Sequence, residues 1–213
     1  MRVENRALGG RSSRSYLREG LWQKVLEELK PGDFVLIQFG HNDNGPLAEG
    51  KARASLKGNG EDVEEVVLTE TGQPETVHSF GWYLRKYIAE TKAKGATPIV
   101  CSLVPRNIWK DGKVTRGASG HGGWAAEAAQ QGRAHFIDLN EIVARRYEQE
   151  GEEVVAARYF TKVDHTHTTP AGARLNAECV VEGLKGLSEC GLAGFLGTPT
   201  EPVTVNAPSA MPE

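Results

Sequence analysis

Cysteine is scarce in this chain: Cys101, Cys179 and Cys190 are the only three. They are too few and too irregularly spaced for a disulfide scaffold or a zinc site. Cys101 lies in an apolar run and reads as a buried free thiol, whereas Cys179 and Cys190 either pair or stay reduced. Long apolar runs are missing too, since none reaches the ~18 residues of a membrane-spanning helix. There is no excess of positive charge. The formal net charge is -3, which leaves no footprint for nucleic acid or an anionic membrane surface. No internal repeat and no secretory leader is visible. The missing leader decides nothing, because the first residues read as the interior of a domain.

What is present is enough for one large α/β domain or two small ones, since 213 residues bury a substantial core. Asp33 to Phe39, Thr97 to Leu103 and Ala134 to Leu139 are nearly continuous apolar runs, as strands covered on both faces should be. Helical stripes lie between and after them. Leu21, Val25 and Leu29 form one; Phe80, Leu84, Tyr87 and Ile88 a second; Ile142, Arg146 and Tyr147 a mixed third. A last helix is expected from Thr169 as N-cap and Pro170 at its first position, with Leu175, Cys179, Val180, Leu184 and Leu187 on its apolar face. Strand–helix alternation predicts a parallel sheet, with function at the carboxyl ends of its strands. The Gly45–Thr76 stretch reads as a long polar loop, functional or mobile. The proline-containing end reads as a disordered tail or linker.

Three short motifs fall on loops at that edge. Asp164-His165-Thr166-His167 places a carboxylate three residues from an imidazole, a spacing that lets the acid fix the tautomer of His167. As a metal pair, His165 and His167 lack a visible third ligand. Asn42, in Gly40-His41-Asn42-Asp43, follows a strand and has an amide able to donate to an oxyanion, although an Asx turn explains it equally. Gly9-Gly10-Arg11-Ser12 permits a close backbone approach, or is simply a capped turn whose arginines hold the loop or face water.

Taken together, the motifs resemble those of SGNH (GDSL-type) hydrolases, and among them the rhamnogalacturonan acetylesterases. The likeness is carried by GRSSRSYLREG and PGDFVLIQFGHND from Gly10 onward, by VDHTHTTPAGA at Val163–Ala173, and by the intervening VHSFGWYLRKYI and CSLVPRNIW, and it runs from about Val3 to Leu187. The resemblance implies a flavodoxin-like three-layer α/β fold. It implies Asp164 and His167 as acid and base, and the Gly10 N–H and Asn42 side chain as oxyanion donors. It also implies an acetylated polysaccharide or oligosaccharide as substrate, with no cofactor, metal, nucleic acid or membrane, and an extracellular or periplasmic location. Asn107 and Trp109 are expected in a sugar groove, with Trp109 either stacking on a ring or packing its own loop.

The family's Gly-Asp-Ser block, which supplies the nucleophile and a third donor, is absent. Gly117-Ala118-Ser119-Gly120-His121 lacks the final glycine of a G-x-S-x-G elbow and follows no expected strand. Met1–Asn5 aligns with the family's second strand. A first strand, its serine turn and a helix, on the order of 30 residues, are therefore expected to be missing. Such a gap would leave the chain marginally stable and inactive as written. The domain is expected over residues 1–190, with a tail over 191–213. Two other functions fit: a non-catalytic carbohydrate-binding remnant, or an SGNH esterase or thioesterase acting on other acyl groups.

Overall fold

The computed structural model describes residues 2–117, 119–187 and 189–196. Its centre is a parallel sheet of β1 (Phe34–Ile37), β4 (Thr97–Cys101) and β7 (His135–Ile137), in the order β1-β4-β7. The register pairs Phe34 with Thr97 and Ile99 with His135. Between β1 and β4 lie the antiparallel hairpin β2 (Val63–Val67) and β3 (Pro74–His78), and helix α3 (Phe80–Ala93). A two-residue hairpin, β5 (Trp109–Lys110) with β6 (Lys113–Val114), and helix α4 (His121–Gln131) lie between β4 and β7. Before β1 stand α1 (Ser13–Arg18) and α2 (Leu21–Glu28). After β7 come α5 (Leu139–Glu150), α6 (Glu152–Tyr159) and α7 (Pro170–Lys185).

Alternation along β4 builds the layers. Val100 faces one core with Tyr16, Trp22, Phe80, Leu84 and Tyr87, from α1, α2 and α3. Ile99 and Cys101 face the other, with Val143, Tyr147, Val155, Leu175 and Cys179, from α5, α6 and α7. This is the expected α/β fold with helices on both faces of a parallel sheet. Helix starts follow capping chemistry: the side chains of Ser12, Ser79, Asp138 and Thr169 each accept a backbone N–H of the first turn. All three cysteines are buried free thiols.

Four expectations are corrected. Residues 2–7 form no strand and are exposed. A strand needs a ladder partner, and residues 2–7 lie beside none. The Gly45–Thr76 stretch contains the β2–β3 hairpin, which Val63-Glu64-Glu65-Val66-Val67 hides by failing to alternate. Within the expected tail, Gly191–Phe195 is a 3₁₀ turn whose Leu192 is buried in the core; residues 197–213 lie outside the described ones. Finally, β1 pairs only with β4. Its other edge carries no strand among the described residues, and Leu36 is 44% exposed there. Parallel strands are normally buried on both faces.

Candidate active site

The loop between α6 and α7 is tied at both ends. Phe160 and Thr168 form an isolated bridge, the Thr169 N–H donates to the Tyr159 carbonyl, and the Thr169 hydroxyl donates to the Arg158 carbonyl. Within it, Asp164 Oδ1 accepts the N–H groups of Thr166 and His167 at 2.6 and 2.7 Å, and Oδ2 lies 2.7 Å from His167 Nδ1. Those bonds, the His167 backbone first, hold the Asp164 carboxyl well below the usual carboxylate range. With Nδ1 bound to the acid, Nε2 is left for proton transfer, as a general base requires. The His167 side chain is 77% exposed. His165 is exposed, and its carbonyl accepts the Asn107 N–H at 2.8 Å. Among the described residues no group of three or more His, Cys, Asp or Glu side chains is placed to hold a metal ion.

Gly10 and Asn42 are brought together by α1. Gly10 has φ +79°, a left-handed backbone that favours glycine. Its carbonyl accepts Arg53 Nη1 at 2.9 Å, while its N–H donates to no described partner. Asn42 Nδ2 donates to the Arg11 carbonyl at 3.1 Å. This fixes the amide and leaves its second N–H for another acceptor. The next residue, Asp43, is buried and accepts the Ser13 N–H at 3.1 Å, the Ser13 hydroxyl, and the Ser55 hydroxyl at 3.2 Å. Burial pushes its pKa up to about 6 against those bonds. Arg14, also buried, holds Glu75 and the carbonyls of Leu47 and Ala54. Burial alone would raise Glu75, but Arg14 and Arg18 outweigh it and hold its carboxyl below the ordinary range.

The two halves meet at the carboxyl edge of β1 and β4. His41 Nε2 lies 3.1 Å from the Val104 carbonyl. Burial lowers the His41 pKa, and the charges of Arg106 and His167 lower it further. Gly40, at φ +138°, passes so close to Leu103 and His121 that a Cβ would stand 2.9 Å from Leu103 Cδ1. No direct bond joins the Asp164–His167 pair to Gly10 or Asn42 among the described residues; His41 and the Val104–Asn107 segment lie between them. Trp109 donates its indole N–H to Asn107 Oδ1 at 2.8 Å and packs against the α5–α7 core. The ring is thereby engaged in loop packing. Asp43, Arg14 and Arg53 were not singled out by sequence reasoning. Nothing in a run of small polar residues distinguishes a buried carboxylate from an Asx turn.

A pair of acid and imidazole with a free Nε2, beside a backbone N–H and a side-chain amide, is the equipment of acyl transfer. The sequence profile of the GDSL-like Lipase/Acylhydrolase family matches residues 1–175, and the chain belongs to this family of carboxylic ester hydrolases. It is 34% identical over 182 residues to the rhamnogalacturonan acetylesterase of Emericella nidulans, covering 85% of this chain and 73% of that protein. It is 30% identical over 190 residues to the probable rhamnogalacturonan acetylesterase YesY of Bacillus subtilis, covering 88% and 78%. Among solved structures, protein YxiM of Bacillus subtilis superposes with a TM-score of 0.68 at 23% identity. That match covers 89% of this chain and 47% of YxiM, so the chain spans about half of that protein. The acetyl-xylooligosaccharide esterase Axe2 of Geobacillus stearothermophilus gives 0.55 at 17%, covering 82% and 68%. These two likenesses concern the fold alone.

Proposed function

We propose that this chain carries the acid–base and oxyanion parts of a serine esterase that removes acetyl groups from a pectic polysaccharide of the rhamnogalacturonan type. The observation that carries the reading is the 2.7 Å Asp164–His167 bond, which leaves Nε2 unengaged. His167 accepts the proton of a serine hydroxyl as it attacks the acetyl carbonyl, then returns it to the departing sugar alkoxide. Asp164 orients His167 and stabilises the imidazolium. The Gly10 N–H and the second Asn42 N–H receive the tetrahedral oxyanion. The acetyl and polysaccharide specificity rests on the names of the two relatives at 30% identity or above.

The serine itself is assigned to a strand that pairs with the open edge of β1. Ser12, Ser13, Ser15, Ser55, Ser79 and Ser102 are buried and hydrogen-bonded inside the fold. Ser119 stands in a surface turn before α4. The test is acetate release from acetylated rhamnogalacturonan by the natural polypeptide that carries this chain, expressed from its own reading frame. Release that is lost in His167→Ala is the expected result. Binding of the acetylated polymer without release would overturn the reading in favour of a carbohydrate-binding protein.

A further inference from the structure

Beside the Gly10–Asn42 edge lies an open cleft of about 420 Å³ lined by Asn44, Pro46, Glu49, Lys51, Ala52 and Arg53. Its location ties it to the acyl-transfer centre. Asn44 is two residues beyond Asn42, and Arg53 reaches over Gly10 to bond its carbonyl at 2.9 Å. A Cβ on Gly10 would stand 3.6 Å from that Arg53 nitrogen. The cleft is therefore continuous with the edge where the ester is expected to sit.

Arg53 is half-buried and, among the described residues, forms no ion pair. A guanidinium carries five donors, and the one bond to Gly10 leaves most of them for a ligand. Lys51, at the rim, is exposed and unpaired among the described residues. Glu49 is the one carboxylate among the lining residues, facing two cations. Cations also dominate behind the wall, where Arg14 and Arg18 share the single carboxylate Glu75. The same two arginines pin the wall. Arg14 holds the carbonyls of Leu47 and Ala54, and Arg18 those of Lys51 and Ala52. Ala52, a buried non-glycine residue, is held at φ +42°. Such an outlier persists only where the surroundings over-determine it, and these clusters mark ligand-binding segments. A rigid wall with fixed donors loses little freedom on binding.

We infer that this cleft is a subsite for a sugar carboxylate, with Arg53 as its main ligand and Lys51 at its rim, so that the esterase prefers uronate-containing chains over neutral ones. The inference rests on the proposed function for its place next to the acyl centre; binding itself is measurable without turnover.

The test is titration of the 213-residue chain with tetragalacturonate and with xylotetraose by calorimetry, at low and high salt. Tetragalacturonate is expected to bind, to weaken as salt screens the cations, and to bind at least tenfold tighter than xylotetraose. Arg53→Gln is expected to weaken it about tenfold or more, the usual effect of losing a hydrogen bond to a charged group. Because Arg53→Gln also removes the bond to Gly10, Lys51→Glu is the second variant. It leaves that bond intact and is expected to weaken binding several-fold with an unchanged circular dichroism spectrum. Equal binding of the two sugars, no binding of either, or affinity for tetragalacturonate unchanged in both variants overturns the subsite. Failure of the two proposals can be told apart. Deacetylation without charge-dependent binding removes the subsite alone, whereas charge-dependent binding without deacetylation removes the esterase reading alone.

Discussion

Replacing Asp43 by asparagine separates two pH dependences that oppose each other in the wild-type fold. Burial raises the Asp43 carboxyl from its ordinary 3.8 to about 6. A raised acid binds its proton more tightly folded than unfolded, so its contribution is fully present below about pH 4 and is lost as pH climbs through 6. The size follows from the gap: roughly 3 kcal/mol, at about 1.4 kcal/mol for each pH unit. His121 does the reverse. Burial, then His41 and Lys57, lower its pKa to about 4. A lowered base favours the neutral folded form, so stability is lost as pH falls from about 6.5 to 4. His41 is lowered for the same first reason and adds to that slope. In the wild type these slopes largely offset. In Asp43→Asn only the histidine slope remains, and stability relative to wild type should rise by roughly 3 kcal/mol between about pH 4 and 6.5. Urea denaturation followed by tryptophan fluorescence at several pH values in that window measures the difference. A constant difference between the two proteins across the window would refute the reasoning, whatever its sign.

Three further outcomes are expected. In the natural polypeptide, His167→Ala should lower kcat on an acetylated substrate by about 10³-fold or more, while His165→Ala, exposed and bonded only through its carbonyl, keeps most activity; equal losses would reassign the catalytic histidine. Asn42→Ala should cost about 10²- to 10³-fold in kcat with little change in KM, the signature of an interaction made only in the transition state, and a loss confined to KM would contradict that role. Arg14→Ala should destabilise the chain by about 3–5 kcal/mol, because it leaves Glu75 and two buried carbonyls without their partner; thermal melting unchanged from wild type would show that the buried guanidinium is dispensable.

The apolar runs that became β1, β4 and β7 were readable because parallel strands buried on both faces need no alternation. The Thr169-Pro170 start of α7 was equally plain, since capping is a local matter. Asp164 and His167 were legible for the same reason: their bond closes within one loop. What escaped was long-range or poorly patterned. The β2–β3 hairpin hides behind paired glutamates, and α4 begins at His121-Gly122-Gly123, which no helix propensity favours. Asp43 meets Ser13 across thirty positions of sequence, and Arg53 meets Gly10 across forty-three; neither partner is marked locally. Trp109 illustrates the converse: a residue type that suggests sugar stacking, yet whose N–H and ring are both engaged by its own loop and core.

The central claim is that His167, oriented by Asp164, activates a serine carried by a strand at the open edge of β1. It is tested most directly by labelling the natural polypeptide with a fluorophosphonate and mapping the modified peptide by mass spectrometry. The account predicts one labelled serine, on a strand adjoining β1 and outside residues 2–196, with labelling lost in His167→Ala. A label on Ser119 or on any other serine of residues 2–196, or labelling that persists without His167, would contradict it.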